Sequence, residues 1–210
     1  MLEIKSFVVG PIQTNTYLVG DTARREAVIV DPGWDGKLLL DEAKRQEWKI
    51  TGIWLTHAHF DHIGAVPELS ELLKPFPDLA LHPDDIPLWQ VQGGAAMFGM
   101  QLGALPTPNL LLKHGQKLQV GAYEFEVRHT PGHSPGHVIF SGVTEAIVFC
   151  GDLIFSSSIG RTDLPGGNYQ QLMESIHSEI LPLADDTRLL TGHGPQTSVV
   201  QERMENPFLS

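Results

Sequence analysis

Three imidazoles and one carboxylate fall within six positions in the run Thr56-His57-Ala58-His59-Phe60-Asp61-His62. On one turn, His57 and His59 can face a single point, while Asp61 and His62 face a second point close by. Imidazole and carboxylate together suit zinc, iron or manganese. Three further donors, His133, Asp152 and His193, lie far downstream, each in a glycine-containing turn. Asp152 follows the apolar run Ala146–Cys150 and Gly151, so it stands at a strand end. That makes it the candidate to bridge two ions about 3.5 to 4 Å apart. Cys150 is the only cysteine, which excludes cysteine-rich structural zinc. So dense a polar cluster directly after a buried strand would leave unpaired groups near a core unless a cation is held there. The pattern reads as a metal site, and its chemistry as metal-assisted hydrolysis. His82, His114, His129, His137 and His177 lack such company and are read as ordinary surface or core histidines, with support of the metal ligands from behind as the alternative for His129 and His137.

The elements that must position these donors follow from periodicity and turn chemistry. Ile53-Trp54-Leu55 makes 50–55 a buried strand that delivers His57 onto a loop, where chemistry in layered α/β proteins sits. Upstream, residues 2–9, 16–19 and 27–30 read as antiparallel strands, the last stopped by Asp31-Pro32-Gly33. Asp35 is placed as the N-cap of a helix to about Trp48, with Leu39 and Ala43 buried and Asp41–Arg45 paired outside. A helix over 63–73 takes Pro67 near its first turn. After a short strand at 79–81, Asp84 is read as a cap. Leu88, Val91, Ala95 and Phe98 then predict an amphipathic helix. The stretch 93–108, rich in glycine and proline, leaves three roles open: lid, dimer contact or plain crossover. The second half resembles the first in element order. It has a hairpin at 116–120 and 123–129, strands at 138–140 and 146–149, a helix at 169–181, a strand at 187–190, and a last helix capped by Thr197. Two packed sheets with helices outside satisfy this order.

With 210 residues, 41% of them apolar, the chain is expected to form one domain over residues 1–210. A formal net charge of -11 opposes nucleic acid and anionic lipid, although a small anion can still meet a metal cluster. No apolar run approaches the roughly 18 residues of a membrane span, and Met1-Leu2-Glu3-Ile4-Lys5 does not open a signal peptide. With one cysteine, the expectation is a cytoplasmic protein, monomeric or homodimeric, acting on a small molecule rather than on nucleic acid or membrane. No dinucleotide fingerprint, P-loop or Gly-x-Ser-x-Gly elbow offers a rival chemistry.

Four pieces carry a resemblance over nearly the whole chain: Thr56 to His62, Thr130-Pro131-Gly132-His133-Ser134, Gly151-Asp152, and Gly192-His193-Gly194. In their order and spacing they resemble the metallo-β-lactamase superfamily. Gln13-Thr14-Asn15, Gly151 to Phe155 and Gly160-Arg161-Thr162-Asp163 look like its glyoxalase II branch, in short bacterial forms without a C-terminal helical domain. The resemblance implies a four-layer αβ/βα sandwich with two divalent ions, zinc first, with iron or manganese accepted by the same donors. It puts one ion on His57, His59 and His133 and the other on Asp61, His62 and His193, with Asp152 bridging. The implied reaction is hydrolysis of S-D-lactoylglutathione or a related thioester by a bridging hydroxide, with Asp61 and Asp152 as the catalytic carboxylates. Arg161 and Phe155 are the substrate-side candidates, with pairing to Asp163 the alternative for Arg161. The same fold implies two rivals: a persulfide dioxygenase with one iron on His57, His133 and Asp152, and a lactonase or phosphodiesterase.

Overall fold

The computed structural model describes residues 1–209. Its first sheet runs in chain order: β1 (Leu2–Val9), β2 (Thr14–Asp21), β3 (Glu26–Val30), β4 (Lys49–Trp54), β5 (Asp78–Leu81) and β6 (Leu110–Leu111). The first three are antiparallel; β3 to β6 are parallel. The second sheet contains β7 (Lys117–Val120), β8 (Tyr123–His129), β9 (Val138–Gly142) and β10 (Ile147–Gly151), with β13 (Arg188–Thr191) and β14 (Thr197–Ser198) beyond β10. Its β7 to β10 form an antiparallel meander, and β13 lies parallel to β10. A small hairpin, β11 (Ile154–Phe155) with β12 (Ser158–Ile159), lies apart from both sheets. Each sheet thus opens as a meander and turns parallel only where a helix returns the chain.

Period-two alternation explains the layering. Along β2 and β3, Tyr17, Val19, Val28 and Val30 join Phe125, Val127, Phe140 and Phe149 in a core between the sheets. Trp54 packs against Phe125 and Phe140 across that interface, with ring centroids 5.8 and 5.3 Å away. The alternate residues Leu18, Ile29 and Ile53 face outward, where Leu39 of α1 (Gly36–Arg45) and Leu69 of α3 (Val66–Leu72) cover them. Beneath the second sheet, Leu172 and Ile176 of α5 (Tyr169–Glu179) and Val199 of α6 (Val199–Glu205) cover Ile139, Val148 and Leu189. The result is the metallo-β-lactamase-type αβ/βα sandwich, held by three apolar interfaces.

Several local expectations are corrected. Asp35 precedes α1 in a left-handed conformation and its side chain makes no cap bond. Asp41 pairs with Lys37, not Arg45, and Arg45 pairs with Glu42. Ser198, not Thr197, caps α6. The helix at 63–73 is split into α2 (Phe60–Ile63) and α3, which starts with Pro67 in its first turn. The amphipathic helix expected through Phe98 is broken after α4 (Ile86–Gln90). Gly93 and Gly94 take φ of 63° and 76°, so the chain turns and Val91 ends 61% exposed. Gly93 is pressed so closely on the metal-motif loop that a Cβ would stand 2.3 Å from Phe60 N. That packing overrides the 3.6-residue period.

Candidate metal centre

Every donor named above sits at the same end of the sandwich, on loops that leave strands of both sheets. Strand β4 delivers His57 and His59, α2 carries Asp61 and His62, and the turn after β8 carries His133. Asp152 follows β10, and His193 follows β13. The nitrogens of His57, His59 and His133 lie within 4.8 Å of one another, as do the donor atoms of Asp61, His62 and His193. Asp152 stands between these clusters. Its Oδ1 is 3.3 Å from His62 Nε2, and its Oδ2 is 3.5 Å from His133 Nε2 and 3.6 Å from His193 Nε2. Gly192 makes room for this: a Cβ there would be 2.1 Å from Asp152 Oδ1. All seven side chains converge, and only His193 is more than marginally exposed.

The far nitrogens are tied down. His62 Nδ1 donates to Asp31 Oδ2 (3.0 Å), and His133 Nδ1 donates to the Arg161 carbonyl (2.8 Å). Thr56 Oγ1 spends its one proton on Asp31 Oδ2 (2.6 Å), so His57 Nδ1, 3.0 Å away, donates to that hydroxyl. These bonds fix the tautomers and leave the Nε2 lone pairs of His57, His62 and His133 pointing into the cluster. Among the described residues, His57 Nε2, His62 Nε2 and Asp152 Oδ1 are buried there with no hydrogen-bond partner. His62 Nε2 and Asp152 Oδ1 stand 3.3 Å apart. Buried orphan acceptors converging from two sides fit divalent cations, and imidazole with carboxylate is a suitable donor set.

The electrostatics agree. Burial and the neighbouring imidazoles hold His57 well below the usual imidazole range; burial takes His59 down to about 3. Neutral imidazole is the ligating form. Burial works to raise Asp61, but His62 and His193 outweigh it and bring the carboxyl down to about 2. Asp152 is held far down by the same kind of opposition, chiefly through His62. Burial works against a charged His62, yet Asp61 and Asp152 raise it well above its ordinary value. A divalent cation held by Asp61 and Asp152 would take the place of the added proton and leave His62 Nε2 free to ligate.

Four residues support the ligands, and three of them, Asp31, Thr14 and Asp85, escape the sequence reading. Asp31, taken as a strand stop, accepts from Thr56 N (2.7 Å) as well as from His62. It had a usable signal, since it ends an apolar strand as Asp152 does. Thr14 Oγ1 donates to Asp61 Oδ2 (3.0 Å). His137 takes the supporting role named as its alternative: it is fully buried, its Nε2 accepts from Asp152 N (3.1 Å) and its Nδ1 meets Thr130 Oγ1 (2.8 Å). Asp85 is buried and accepts from Ala58 N (2.9 Å), Ser134 Oγ (2.8 Å) and Gly136 N (2.6 Å). Asp84, expected as the cap of the next helix, falls one residue short: Asp85 immediately precedes α4, and its carboxylate bonds these loops rather than the helix end. His129 does not join the centre: it stacks on His82 with centroids 4.1 Å apart and bonds the Pro135 carbonyl. Arg161 makes a two-point pair with Asp163, at 2.7 and 2.8 Å, the alternative named for it. Phe155 lines the cleft over the centre, with its ring 6.0 Å from that of His193.

Two sheets enclosing a His/Asp metal-binding cluster at their strand ends define a metallo-hydrolase architecture. The chain belongs to the metallo-beta-lactamase superfamily, whose family model matches residues 9–193. It is 40% identical over 207 residues to the probable metallo-hydrolase YqgX of Bacillus subtilis, covering 96% of this chain and 95% of that one. It is 32% identical over 210 residues to the hydroxyacylglutathione hydrolase GloC of Haemophilus influenzae, covering 100% of this chain and 99% of that one. Among solved structures, TTHA1623 in a di-iron-bound form is similar at 41% identity with a TM-score of 0.89, covering 98% of this chain and 100% of that one. No helix among the described residues is long and apolar enough to cross a membrane.

Proposed function

We propose that the protein is a dinuclear metal-dependent thioesterase of the glyoxalase II type, acting on S-D-lactoylglutathione or a related thioester. One ion is assigned to His57, His59 and His133, the other to Asp61, His62 and His193, and Asp152 is shared. The observation that carries this reading is the position of Asp152, whose carboxylate reaches toward both clusters at once. The full-length similarity to a protein named hydroxyacylglutathione hydrolase supports the substrate class.

When bound, two divalent cations supply Lewis acidity that lowers the pKa of water and polarises an acyl carbonyl. The chain's own residues do the rest. Asp61, held at about 2, is an acceptor at neutral pH, so it orients a water O–H rather than storing its proton. Thr14 and His193 fix that carboxylate in place. Asp31, through Thr56 and His62, keeps two imidazoles in their ligating tautomer. Hydrolysis forms an acyl C–O bond from water, breaks the C–S bond, and releases a carboxylate, a thiol and one proton. A thiol ionises near pH 8.5, roughly, so the departing sulfur needs little help from a protein acid.

The test combines elemental analysis with turnover of S-D-lactoylglutathione and of an S-acyl-N-acetylcysteamine on one sample. About two ions per chain with turnover of either thioester is expected. One iron per chain, oxygen uptake with glutathione persulfide and no thioester turnover would replace this reading by sulfur dioxygenation.

A further inference from the structure

The cleft above the centre is a cavity of about 310 Å³. Its floor is polar, made of the acidic and imidazole donors. Its walls are mostly apolar: Ile12, Phe60, Phe98, Phe155, Ile159 and Leu164, with Ser158 and Arg161 among them. These come from separate stretches of chain, the β1–β2 turn, α2, the segment after α4, the β11–β12 hairpin and the loop that follows it. Phe98 packs on Phe60 with centroids 5.0 Å apart and remains 42% exposed, and Ile12 remains 38% exposed. Large apolar side chains gathered from distant positions and left open to water at the mouth of a polar site are a surface waiting for an apolar ligand.

Arg161 is the one cationic side chain lining this cleft besides the histidines. It is already engaged: Nε donates to Asp163 Oδ1 and Nη2 to Asp163 Oδ2, a fork-to-fork pair with no net charge. A ligand carboxylate entering here would have to share that guanidinium with Asp163, which already neutralises it, inside a chain of net charge -11. Glutathione brings two carboxylates, and among the described residues the walls provide no Lys or Arg besides Arg161 for either.

We infer that the cleft selects thioesters whose arms are uncharged and apolar over those that carry carboxylates. This rests on the thioesterase reading and narrows it. Its basis is the wall composition and the closed Arg161–Asp163 pair.

The test is calorimetric binding to the metal-loaded protein of two non-hydrolysable thioethers, S-hexyl-N-acetylcysteamine and S-hexylglutathione. Binding needs no turnover, so this result is separate from whether any thioester is cleaved. The uncharged thioether is expected to bind tighter by roughly tenfold, and affinity is expected to rise about fourfold per methylene from ethyl to hexyl. Equal or tighter binding of S-hexylglutathione, or no binding of either at millimolar concentration, overturns the inference. In D163A the guanidinium is freed, and S-hexylglutathione should gain roughly tenfold while the uncharged thioether holds steady. An unchanged ratio in D163A overturns the role given to the Arg161–Asp163 pair.

Discussion

Asp85 joins two loops that the sheets deliver from opposite sides, and removing its carboxylate should loosen one metal cluster more than the other. In D85A, Ala58 N, Gly136 N and Ser134 Oγ lose their acceptor. A buried donor left without a partner costs about 1–3 kcal/mol. The hydroxyl can rotate toward another acceptor, but the two amides cannot. Together they lose roughly 2–6 kcal/mol, and relief of the buried charge returns part of it, leaving about 1–4 kcal/mol. For a chain of this size that lowers Tm by about 2–16 °C. Ala58 lies between His57 and His59, and Ser134 follows His133. The affinity of that three-histidine cluster for zinc should therefore fall by about 10–100-fold, the usual effect of losing an outer support. The Asp61–His62–His193 cluster is held by Asp31 and Thr14 instead, so it should change less. In D85N the amide oxygen can still serve Ala58 and Ser134, but its NH₂ opposes Gly136 N–H, so an intermediate loss is expected. The assays are calorimetric melting of the chelated protein and a stepwise zinc titration against a chromophoric chelator. If D85A melts within about 1 °C of the parent and binds both zinc equivalents as tightly, the stapling role is wrong.

Three further outcomes follow from the same geometry. The metal-free protein should lose stability steeply as pH falls from 7 toward 5. His57, His59, His133 and His137 are held below their ordinary value by burial, so near pH 6 the unfolded chain binds protons that the folded chain refuses. His57, His59 and His137 each contribute about 1.4 kcal/mol per pH unit below 6.5, His133 adds in the same direction, and His62 and His193, raised in the fold, do not add to this loss; a flat profile in urea melts from pH 7.5 to 5.5 would contradict it. Chelation should lower Tm by about 8–16 °C per site held at a thousandfold excess over Kd, and zinc should restore it; equal melting with and without chelator refutes the orphaned-donor argument. Gly160→Ala puts a Cβ 1.8 Å from the Asp152 carbonyl and 3.4 Å from His133 Nδ1. It should cost about 3 kcal/mol and lower metal content, and unchanged zinc stoichiometry and Tm would show that the loop after β12 yields without moving Asp152.

The strands of both sheets, apart from the two-residue β6 and β14, were legible because period-two alternation and turn residues agree along them; two residues are too few to show a period. The β7–β8 hairpin closes at Gly121-Ala122, where the sequence placed it. The break after α4 was not legible. Leu88, Val91, Ala95 and Phe98 keep helical spacing, and periodicity alone does not register that Gly93 must lie against the backbone of Ala58 to Phe60. There the tertiary contact decides the conformation, and Phe98 is carried to the mouth of the cleft instead of into a core.

The donors around the candidate centre divide in the same way. His57, His59, Asp61 and His62 stand out because one loop supplies them, and His133, Asp152 and His193 because each ends a strand or fills a glycine turn. Their supports have no such grammar. Asp85 reaches partners 27, 49 and 51 positions away, and the acceptor for His133 is a backbone carbonyl, which every residue has. A buried imidazole that presents one lone pair must still donate its other proton, so a histidine cluster in a sequence implies such acceptors before it reveals them. Asp31 was the one open to inference, because a carboxylate closing an apolar strand beside a histidine motif has few other means of paying for its burial.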